Sequence, residues 1–342
     1  MLYIVSNSKL KSGIGRYASR LHSYFPNSKL VLFRMKPWEE PDGFDEVVQY
    51  KYFNKLGIIY DLITKSGKFS KFASKKLLHL VSPDFFHVAN GSIGTVHDLF
   101  PLSENTAVSS YYPFYYRLYF KYEITQIKNL EVVIVPSFYT ARQLKRYADE
   151  NGIELPKVIV IHHSVPRSFV NERDGNVMRI REELGLPKDK KIVINVAHDE
   201  PRKGLSIIDR IREELHKLGF IIITVNNKRG DKYFLGIDDE LLIKLYIASD
   251  VYFAPSIDEG FNIPIIEALA NSLPVVARDI PAHREIYSFN NGGILLVREE
   301  DFVPAIIKAS YMKAKLNEYF LEDREREEYK KIYSRFLTPF SP

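Results

Sequence analysis

The chain has 342 residues, of which 45% are hydrophobic and 27% charged, with a net charge of +5 and no cysteine. This composition is ordinary for a globular protein, and it excludes disulfides, thiolate metal sites and a cysteine nucleophile. The length exceeds one typical core, so two domains are expected. Charged residues interrupt every apolar stretch before it reaches transmembrane length, and residues 1–7 are expected to form a buried strand rather than a signal peptide. The absence of cysteine fits a cytoplasmic location.

The first half of the chain alternates between strand-like and helix-like segments. Apolar runs predict strands at residues 2–6, 30–33, 94–101, 132–137 and 158–163. Helical patterns lie between them at residues 13–21 and 139–149. This alternation is typical of a doubly wound parallel sheet.

A second alternating series begins after a polar linker at residues 167–176. It predicts strands and helices at residues 177–184, 191–196, 205–218, 220–225, 239–248, 251–256 and 273–277. The sequence therefore predicts an α/β protein with two Rossmann-like domains, residues 1–168 and 169–320. Residues 321–342 carry an amphipathic helical pattern, and we expect this segment to pack back on the first domain.

One loop in the second half carries the strongest functional signal. Residues 259–268, Glu-Gly-Phe-Asn-Ile-Pro-Ile-Ile-Glu-Ala, follow an apolar run and predict a strand, a glycine turn and a helix opened by Pro264. Such a loop presents backbone N–H groups at a strand end, where anionic ligands bind in open α/β sheets. Glu267 can accept hydrogen bonds from two vicinal sugar hydroxyls. A capped helix with solvated carboxylates is the alternative interpretation.

A second segment also follows a predicted strand directly. Residues 196–204 are Val-Ala-His-Asp-Glu-Pro-Arg-Lys-Gly, in which Arg202 and Lys203 can neutralise a diphosphate leaving group. Taken alone, the segment is better explained as a surface turn with two solvated cations.

Together, in this order, the two segments resemble the retaining glycosyltransferases of family 4, also described as glycosyl transferases group 1, which have the two-domain GT-B architecture. Further similarity to that family occurs at residues 13–17, 96–101, 135–137, 160–166, 245–256, 271–277 and 284–286. The resemblance covers nearly the whole chain, and it implies two Rossmann-like domains that face a central cleft. The second domain would bind a nucleoside diphosphate sugar and the first an acceptor.

The resemblance also implies roles for individual residues. Lys203 and Arg202 would contact the diphosphate, Glu267 would hold the ribose, and Glu259 would contact the transferred sugar. The backbone N–H groups of Phe261, Asn262 and Ile263 would bind sugar hydroxyls or phosphate.

In the first domain, the resemblance assigns Gly13 and Gly15 to the sugar-nucleotide site, where Gly15 would let the backbone approach the diphosphate. His97 would lie near the reacting sugar. The catalytic set implied in this way is His97, Lys203 and Glu259.

Two positions depart from the family pattern. Val196-Ala197 stands where relatives have Gly-Arg, so one phosphate-binding arginine is missing, and His198, Arg202 or Arg16 is a candidate substitute. Asn262 stands where relatives often have glycine or another small residue. Both departures bear on the identity of the sugar nucleotide more than on the reaction class.

The resulting hypothesis is a metal-independent hexosyltransferase that retains the anomeric configuration and uses a UDP- or GDP-linked sugar, with no cofactor. No Asp-x-Asp motif stands at a strand end to suggest a metal. A catalytically degenerate sugar-nucleotide binding protein of the same fold is the alternative. Nucleic-acid binding is disfavoured, because the basic residues are spread out.

The acceptor is not evident and could be a glycan, a lipid-linked molecule or a protein. Residues 51–76 hold seven lysines against one acid, with aromatic residues interleaved, and could contact an anionic membrane. A solvated lysine face over a helical core is the favoured alternative. The aromatic cluster at residues 111–122 has helical spacing, which favours core packing over a sugar-binding cleft.

Overall fold

The computed structural model describes residues 1–10, 12–34, 43–49, 67–171 and 176–337. The chain divides into two compact units. Unit 1 contains Met1–Glu104, Tyr112–Ile161 and the chain from Arg326 onward, and unit 2 contains Asn105–Tyr111 and His162–Glu325. The division at residues 161 and 162 lies close to the boundary at 168 that the sequence predicts.

In its described residues, unit 1 is built on a parallel sheet of seven strands in the order β3-β2-β1-β4-β5-β6-β7. Its strands are β1 (Leu2–Ser6), β2 (Lys29–Arg34), β3 (Glu46–Gln49), β4 (Leu77–Leu80), β5 (Ser92–Thr95), β6 (Leu130–Val135) and β7 (Lys157–Val160). The helices up to β7 are α1 (Gly13–Tyr24), α2 (Lys68–Ala73), α3 (Thr106–Ser109), α4 (Phe114–Thr125) and α5 (Phe138–Asn151). The short α3 belongs to unit 2.

The part of unit 2 that the structure describes contains a parallel sheet of six strands in the order β10-β9-β8-β11-β12-β13. Its strands are β8 (Lys191–Val196), β9 (Phe220–Val225), β10 (Lys232–Phe234), β11 (Val251–Ala254), β12 (Val275–Arg278) and β13 (Ile294–Val297). The later helices are α6 (Val177–Glu183), α7 (Ser206–Lys217), α8 (Asp239–Ala248), α9 (Ile263–Ala270), α10 (Pro281–Asn290), α11 (Phe302–Ala309) and α12 (Glu322–Leu337). Helical turns of the 3-10 type occur at Pro83–Val88, Phe100–Leu102, Gln126–Asn129, Arg167–Phe169, Pro201–Lys203, Glu299–Asp301 and Glu318–Phe320.

The central strands carry apolar residues on both faces because helices cover both faces of each sheet. Strand β11 shows this directly. Tyr252 and Ala254 pack into one core cluster, whereas Val251 and Phe253 pack into another. Successive side chains of a strand point to opposite faces, so a continuous apolar run supplies two cores at once. The predicted fold class, two doubly wound α/β units, is confirmed.

The last helix, α12, begins in unit 2 at Glu322 and belongs to unit 1 from Arg326 onward. Tyr329, Ile332 and Tyr333 are buried in one core cluster with side chains of β1 and α1. The three residues share one helical face, as their spacing predicts. The expectation that the final segment packs back on the first half of the chain is therefore correct.

Buried polar groups also join α12 to unit 1. His79 of β4 is hydrogen-bonded through Nδ1 to the Tyr333 hydroxyl at 2.5 Å and through Nε2 to the Thr95 hydroxyl at 2.7 Å. The Tyr17 hydroxyl contacts both Thr95 and the Tyr329 hydroxyl. Burial lowers the pKa of His79 to about 3, so its ring is neutral at physiological pH. Each of these buried polar groups thus has a partner, as stability requires.

Two glycines in the first turn of α1 differ sharply in their surroundings. A Cβ atom on Gly15 would lie 1.8 Å from the carbonyl oxygen of Lys9, whereas nothing lies within 4 Å of one on Gly13. Ser12 caps α1 and accepts a hydrogen bond from the Gly15 N–H at 3.0 Å. Close packing of the loop against α1 therefore requires a glycine at position 15, independently of any ligand.

We expect Gly15→Ala to lower the free energy of unfolding by about 2–3 kcal/mol, because the new methyl group overlaps backbone atoms that cannot move cheaply. Gly13→Ala is the matched control and should be neutral or stabilising by up to about 1 kcal/mol, since alanine favours the helix. Urea unfolding of both variants measures the difference. Equal stabilities would contradict the close approach of Lys9 to Gly15.

The aromatic residues at 111–122, before and within α4, were expected to pack in the core, and this expectation is only partly correct. Only part of the cluster packs in the core, with Phe120 buried and Tyr116 and Tyr119 packed at its edge. Several large apolar side chains are exposed, namely Tyr111, Phe114, Tyr115, Leu118 and Tyr122. Helical spacing does not identify which face of a helix is covered, and here aromatic residues occupy both faces.

The predicted basic patch at residues 51–76 lies largely outside the described residues. Its described end includes α2, in which Phe69 is buried, and the Lys76 ammonium lies 3.4 Å from the centre of the Phe72 ring. Across the ranges that the structure describes, no helix is both long and apolar enough to cross a bilayer.

Candidate active site

The two predicted loops meet at one edge of the unit 2 sheet. Strands β8 and β11 are parallel neighbours, so their carboxyl ends lie side by side. The turn Pro201–Lys203 follows β8, and the Ile257 N–H donates a hydrogen bond to the Arg202 carbonyl at 2.8 Å. Gly204 has φ 63°, and a Cβ atom there would lie 2.5 Å from the Pro255 carbonyl oxygen. The glycine therefore allows the two loops to pack in direct contact.

Glu259 lies at the centre of this contact and is 4% exposed. Its Oε1 accepts from the Lys203 Nζ at 2.6 Å and from the Ser256 hydroxyl at 2.7 Å. Its Oε2 accepts a hydrogen bond from the Arg202 Nη1 at 2.7 Å. The Arg202 Nε also donates a hydrogen bond to the Glu200 carboxylate at 2.8 Å. Both cationic side chains are mostly buried, with 16% of Arg202 and 13% of Lys203 exposed. The structure thus joins residues that the sequence placed in two separate motifs.

The ionisation of Glu259 follows from these contacts. Burial alone would raise the pKa of its carboxyl group, but the charges of Lys203 and Arg202 and the hydrogen bonds from Lys203 and Ser256 outweigh burial and lower the pKa to about 2. Glu259 is therefore an anion at physiological pH. It balances part of the positive charge that would otherwise accumulate at this sheet edge.

The helix α9 begins beside this cluster. Phe261 is buried and its side chain packs in the unit 2 core, while Ile263 is the first helical residue. One turn further, Glu267 is 9% exposed and accepts a hydrogen bond from the Tyr246 hydroxyl at 2.9 Å. The predicted strand, turn and helix are all present. The start of α9 presents backbone N–H groups and the positive end of the helix dipole, which together favour an anion.

Asn262, directly before α9, has a backbone conformation that few residues adopt. Its φ is 84° and its ψ is 68°, in the left-handed region. The Asn262 Nδ2 lies 2.9 Å from Nε2 of His283, a fully buried residue of α10. The His283 Nδ1 lies 2.8 Å from the Arg278 carbonyl. His283 could not be identified from the sequence, because a lone histidine inside an amphipathic helix carries no motif.

The candidate residues of the first half lie in unit 1. His97 follows β5, its Nε2–H donates to the Val81 carbonyl at 3.0 Å, and its ring meets the Tyr17 ring edge-on at 4.8 Å between centroids. Gly13 and Gly15 lie in the first turn of α1. The roles assigned to these three residues stay predictions.

The missing arginine at position 197 has one candidate substitute within the cluster. Arg202 contacts Glu259 directly, whereas His198 and Arg16 are exposed. The Ala197 carbonyl accepts a hydrogen bond from Asn227 at 2.9 Å. Of the three candidates, Arg202 is therefore the one that lies beside Glu259.

A segment from the first half of the chain also reaches this neighbourhood. Asn105–Tyr111 belongs to unit 2, and its helix α3 packs against the turn Pro201–Lys203. Asn105 caps α3 by accepting a hydrogen bond from the Ala107 N–H at 3.0 Å. A capping residue in the sequence predicts that a short helix begins there, but it does not predict which unit that helix packs against.

Comparison with known proteins supports a GT-B glycosyltransferase. The family model described as "Glycosyl transferases group 1" matches residues 212–326, which include Glu259 and the start of α9. The O-antigen chain mannosyltransferase RfbU of Salmonella typhimurium strain LT2 is 27% identical over 237 residues. That alignment covers 68% of this chain and 63% of RfbU, so the chain matches somewhat less than two thirds of this relative.

Solved structures show the same fold at low sequence identity. A sucrose-phosphate synthase from Thermosynechococcus elongatus superposes with a TM-score of 0.75 at 16% identity, covering 98% of each chain. Anabaena Alr3699/HepE, solved in complex with UDP and glucose, gives a TM-score of 0.73 at 14% identity, covering 98% of this chain and 99% of that one. The chain has the GT-B fold of these proteins.

Proposed function

We propose that this protein transfers a hexosyl group from a nucleoside diphosphate sugar to an acceptor hydroxyl, retains the anomeric configuration and uses no metal ion. The observation that carries the proposal is the buried cluster of Glu259, Arg202 and Lys203 beside the start of α9. It gathers two cations and a helix N-terminus at the carboxyl ends of parallel strands, where α/β proteins bind nucleotides. RfbU is named a mannosyltransferase, and Alr3699/HepE was solved with UDP and glucose, which agrees with this substrate class.

In the proposed reaction, the bond between the anomeric carbon and the diphosphate oxygen breaks, and its electron pair leaves with the diphosphate. The acceptor hydroxyl forms the new bond on the same face, and its proton passes to the departing phosphate oxygen. Lys203, Arg202 and the N-terminus of α9 stabilise the charge that develops on the diphosphate.

The two carboxylates have separate proposed roles. Glu267 accepts hydrogen bonds from the ribose hydroxyls. Glu259 holds Arg202 and Lys203 in place and contacts the transferred sugar. Three donors contact the Glu259 oxygens, and a carboxylate offers about four lone-pair sites, so one sugar hydroxyl can be added.

The remaining proposed contacts rest on the family resemblance alone. It implies that His97 contacts the reacting sugar and that the backbone at Gly13 and Gly15 contacts the diphosphate, and we propose these roles on that ground. The acceptor is a glycan, a lipid-linked molecule or a protein. A cytoplasmic location with peripheral membrane contact through residues 51–76 would suit a lipid-linked acceptor.

The test is a thermal-shift and turnover screen with UDP, GDP, ADP and their hexose conjugates, in the presence of a chelator. A ligand that binds only the native state raises the melting temperature by mass action. We expect one nucleotide to raise it, and the matching hexose conjugate to be consumed with the anomeric configuration retained in the product. Binding without turnover for any acceptor class would favour the degenerate binding protein. No binding by any nucleotide would refute the proposed site.

Glu267→Gln should weaken the affinity for the sugar nucleotide about 10- to 100-fold, because hydrogen bonds to a charged acceptor contribute about 1.5–3 kcal/mol. Calorimetric titration with the nucleotide found in the screen measures the loss. Tyr246→Phe is the matched control, since it removes only the hydroxyl that donates to Glu267 and leaves the carboxylate in place. If both variants bind like the wild type, the ribose is held elsewhere.

A further inference from the structure

The side chain of Asn262 is positioned for something other than helix capping. Asn262 precedes α9, but its side chain makes no hydrogen bond to the backbone of that helix. Its left-handed backbone conformation suits glycine better than any other residue, and asparagine tolerates it at some cost. Capping and backbone geometry therefore do not explain why this position carries an amide.

His283 determines which way that amide points. Because the Arg278 carbonyl can only accept, the His283 Nδ1 must donate to it. Burial is the main cause that lowers the pKa of His283 to about 4, so the ring is neutral and its Nε2 is an acceptor. The neighbouring amide group of Asn262 must then donate to Nε2. The carbonyl oxygen Oδ1 is consequently held on the opposite branch of the amide.

The Asn262 Oδ1 has no hydrogen-bond partner in the part of the chain that the structure describes, although it is buried and the residue is only 7% exposed. A buried acceptor left unpaired costs about 1–3 kcal/mol. Asn262 lies three residues after Glu259, and His283 is close enough to Glu259 and Lys203 for their charges to act on its ring. The unpaired oxygen therefore belongs to the neighbourhood of the candidate active site.

We infer that the Asn262 Oδ1 accepts a hydrogen bond from a hydroxyl group of the transferred sugar, and that His283 is the positioning residue that holds the oxygen in place. The inference rests on the proposed function. An ionised diphosphate offers only acceptors and would repel Oδ1, whereas sugar hydroxyls can donate to it. Asn262 thus acts as a specificity-determining residue through its side chain, in addition to any contact made by its backbone N–H.

The test compares Asn262→Gly with the wild type. Glycine keeps the left-handed backbone and the backbone N–H, so the variant should fold with an unchanged melting temperature or a slightly higher one. We expect kcat/KM for the sugar nucleotide to fall about 10- to 100-fold, because the sugar hydroxyl loses its hydrogen-bond acceptor, the Asn262 Oδ1. Affinity for the nucleoside diphosphate without sugar should be unchanged.

Monodeoxy analogues of the sugar identify the hydroxyl. In the wild type, one analogue should be a markedly poorer substrate than the parent sugar. In Asn262→Gly, that analogue and the parent should differ at most a few-fold, because the group that distinguished them is absent.

Two variants of His283 test the positioning role. In His283→Gln, the side-chain oxygen can still accept from the Asn262 amide, so selectivity among the analogues should persist. In His283→Leu, the amide can rotate and selectivity should fall toward that of Asn262→Gly. Equal selectivity in the leucine and glutamine variants would overturn the positioning role.

Two outcomes separate this inference from the proposed function. If the wild type turns over a sugar nucleotide and Asn262→Gly treats every analogue as the wild type does, only the role of Asn262 is wrong. If the wild type turns over no sugar nucleotide, the proposed function fails and the inference fails with it.

Discussion

Replacing Lys203 with alanine is expected to lower kcat about 10³-fold while the affinity for the sugar nucleotide changes much less. The Lys203 ammonium lies against Glu259 at the sheet edge where the diphosphate is proposed to leave. When a preorganised hydrogen-bond donor that faces a developing negative charge is removed, the rate typically falls 10²–10³-fold, and here the donor carries a full charge. Single-turnover rates and equilibrium binding, measured on the same preparation, separate the two effects.

The matched control is Lys217→Ala. Lys217 is an exposed lysine of α7 in the same unit, where it pairs with Glu213 one helical turn away. This substitution should leave kcat and binding unchanged. Unchanged turnover in Lys203→Ala, in a preparation that binds the sugar nucleotide, would show that the leaving group is stabilised by other residues.

Glu259→Gln is expected to destabilise the folded protein by about 3 kcal/mol at neutral pH, because it removes the carboxylate partner of the mostly buried Lys203 and leaves Arg202 paired with Glu200 alone. Denaturant unfolding measures this loss. Ser256→Ala is a useful comparison, since it removes one hydrogen bond from an uncharged donor, keeps both ion pairs and should cost less, about 1.5 kcal/mol.

The effect of Glu259 on stability should depend on pH in a defined direction. The pKa of Glu259 is lowered from 4.5 to about 2 in the folded state, so its stabilising contribution is complete above about pH 4.5 and is lost as the pH falls toward 2. The difference in unfolding free energy between the wild type and Glu259→Gln should therefore narrow across that range. Parallel stability curves from pH 6 to pH 2.5 would contradict the ion-pair geometry.

Strands β8, β9, β11 and β12 were predicted because their apolar runs are continuous and are buried on both faces. Strand β13 at Ile294–Val297 also has a continuous apolar run but was not predicted. The segments Lys191–Val196 and Phe220–Val225 begin and end where the sequence places them. Strand β10 at Lys232–Phe234 was not predicted, because three residues between polar neighbours give no clear period.

The candidate site was predictable as two loops but not as one cluster. Spacing and residue type placed Arg202, Lys203 and Glu259 at strand ends, and the parallel order of the sheet then brings these ends together. The pairing of Glu259 with both cations depends on side-chain directions that a motif does not contain. The contact of Asn262 with His283 depends on how the start of α9 packs against the next helix, α10, which no local motif specifies.

The last helix has a consequence for how this chain acquires its structure during synthesis. The strands of unit 1 are synthesised before those of unit 2, but Tyr329 and Tyr333, which complete one of the unit 1 cores, follow the described strands of both units. A nascent chain therefore exposes the surface around Tyr17 and His79 until α12 is made, although domains usually fold in the order of their synthesis. A fragment cut near residue 168 would lack these two tyrosines, so we expect an isolated unit 1 to need α12 rejoined to it to complete this core.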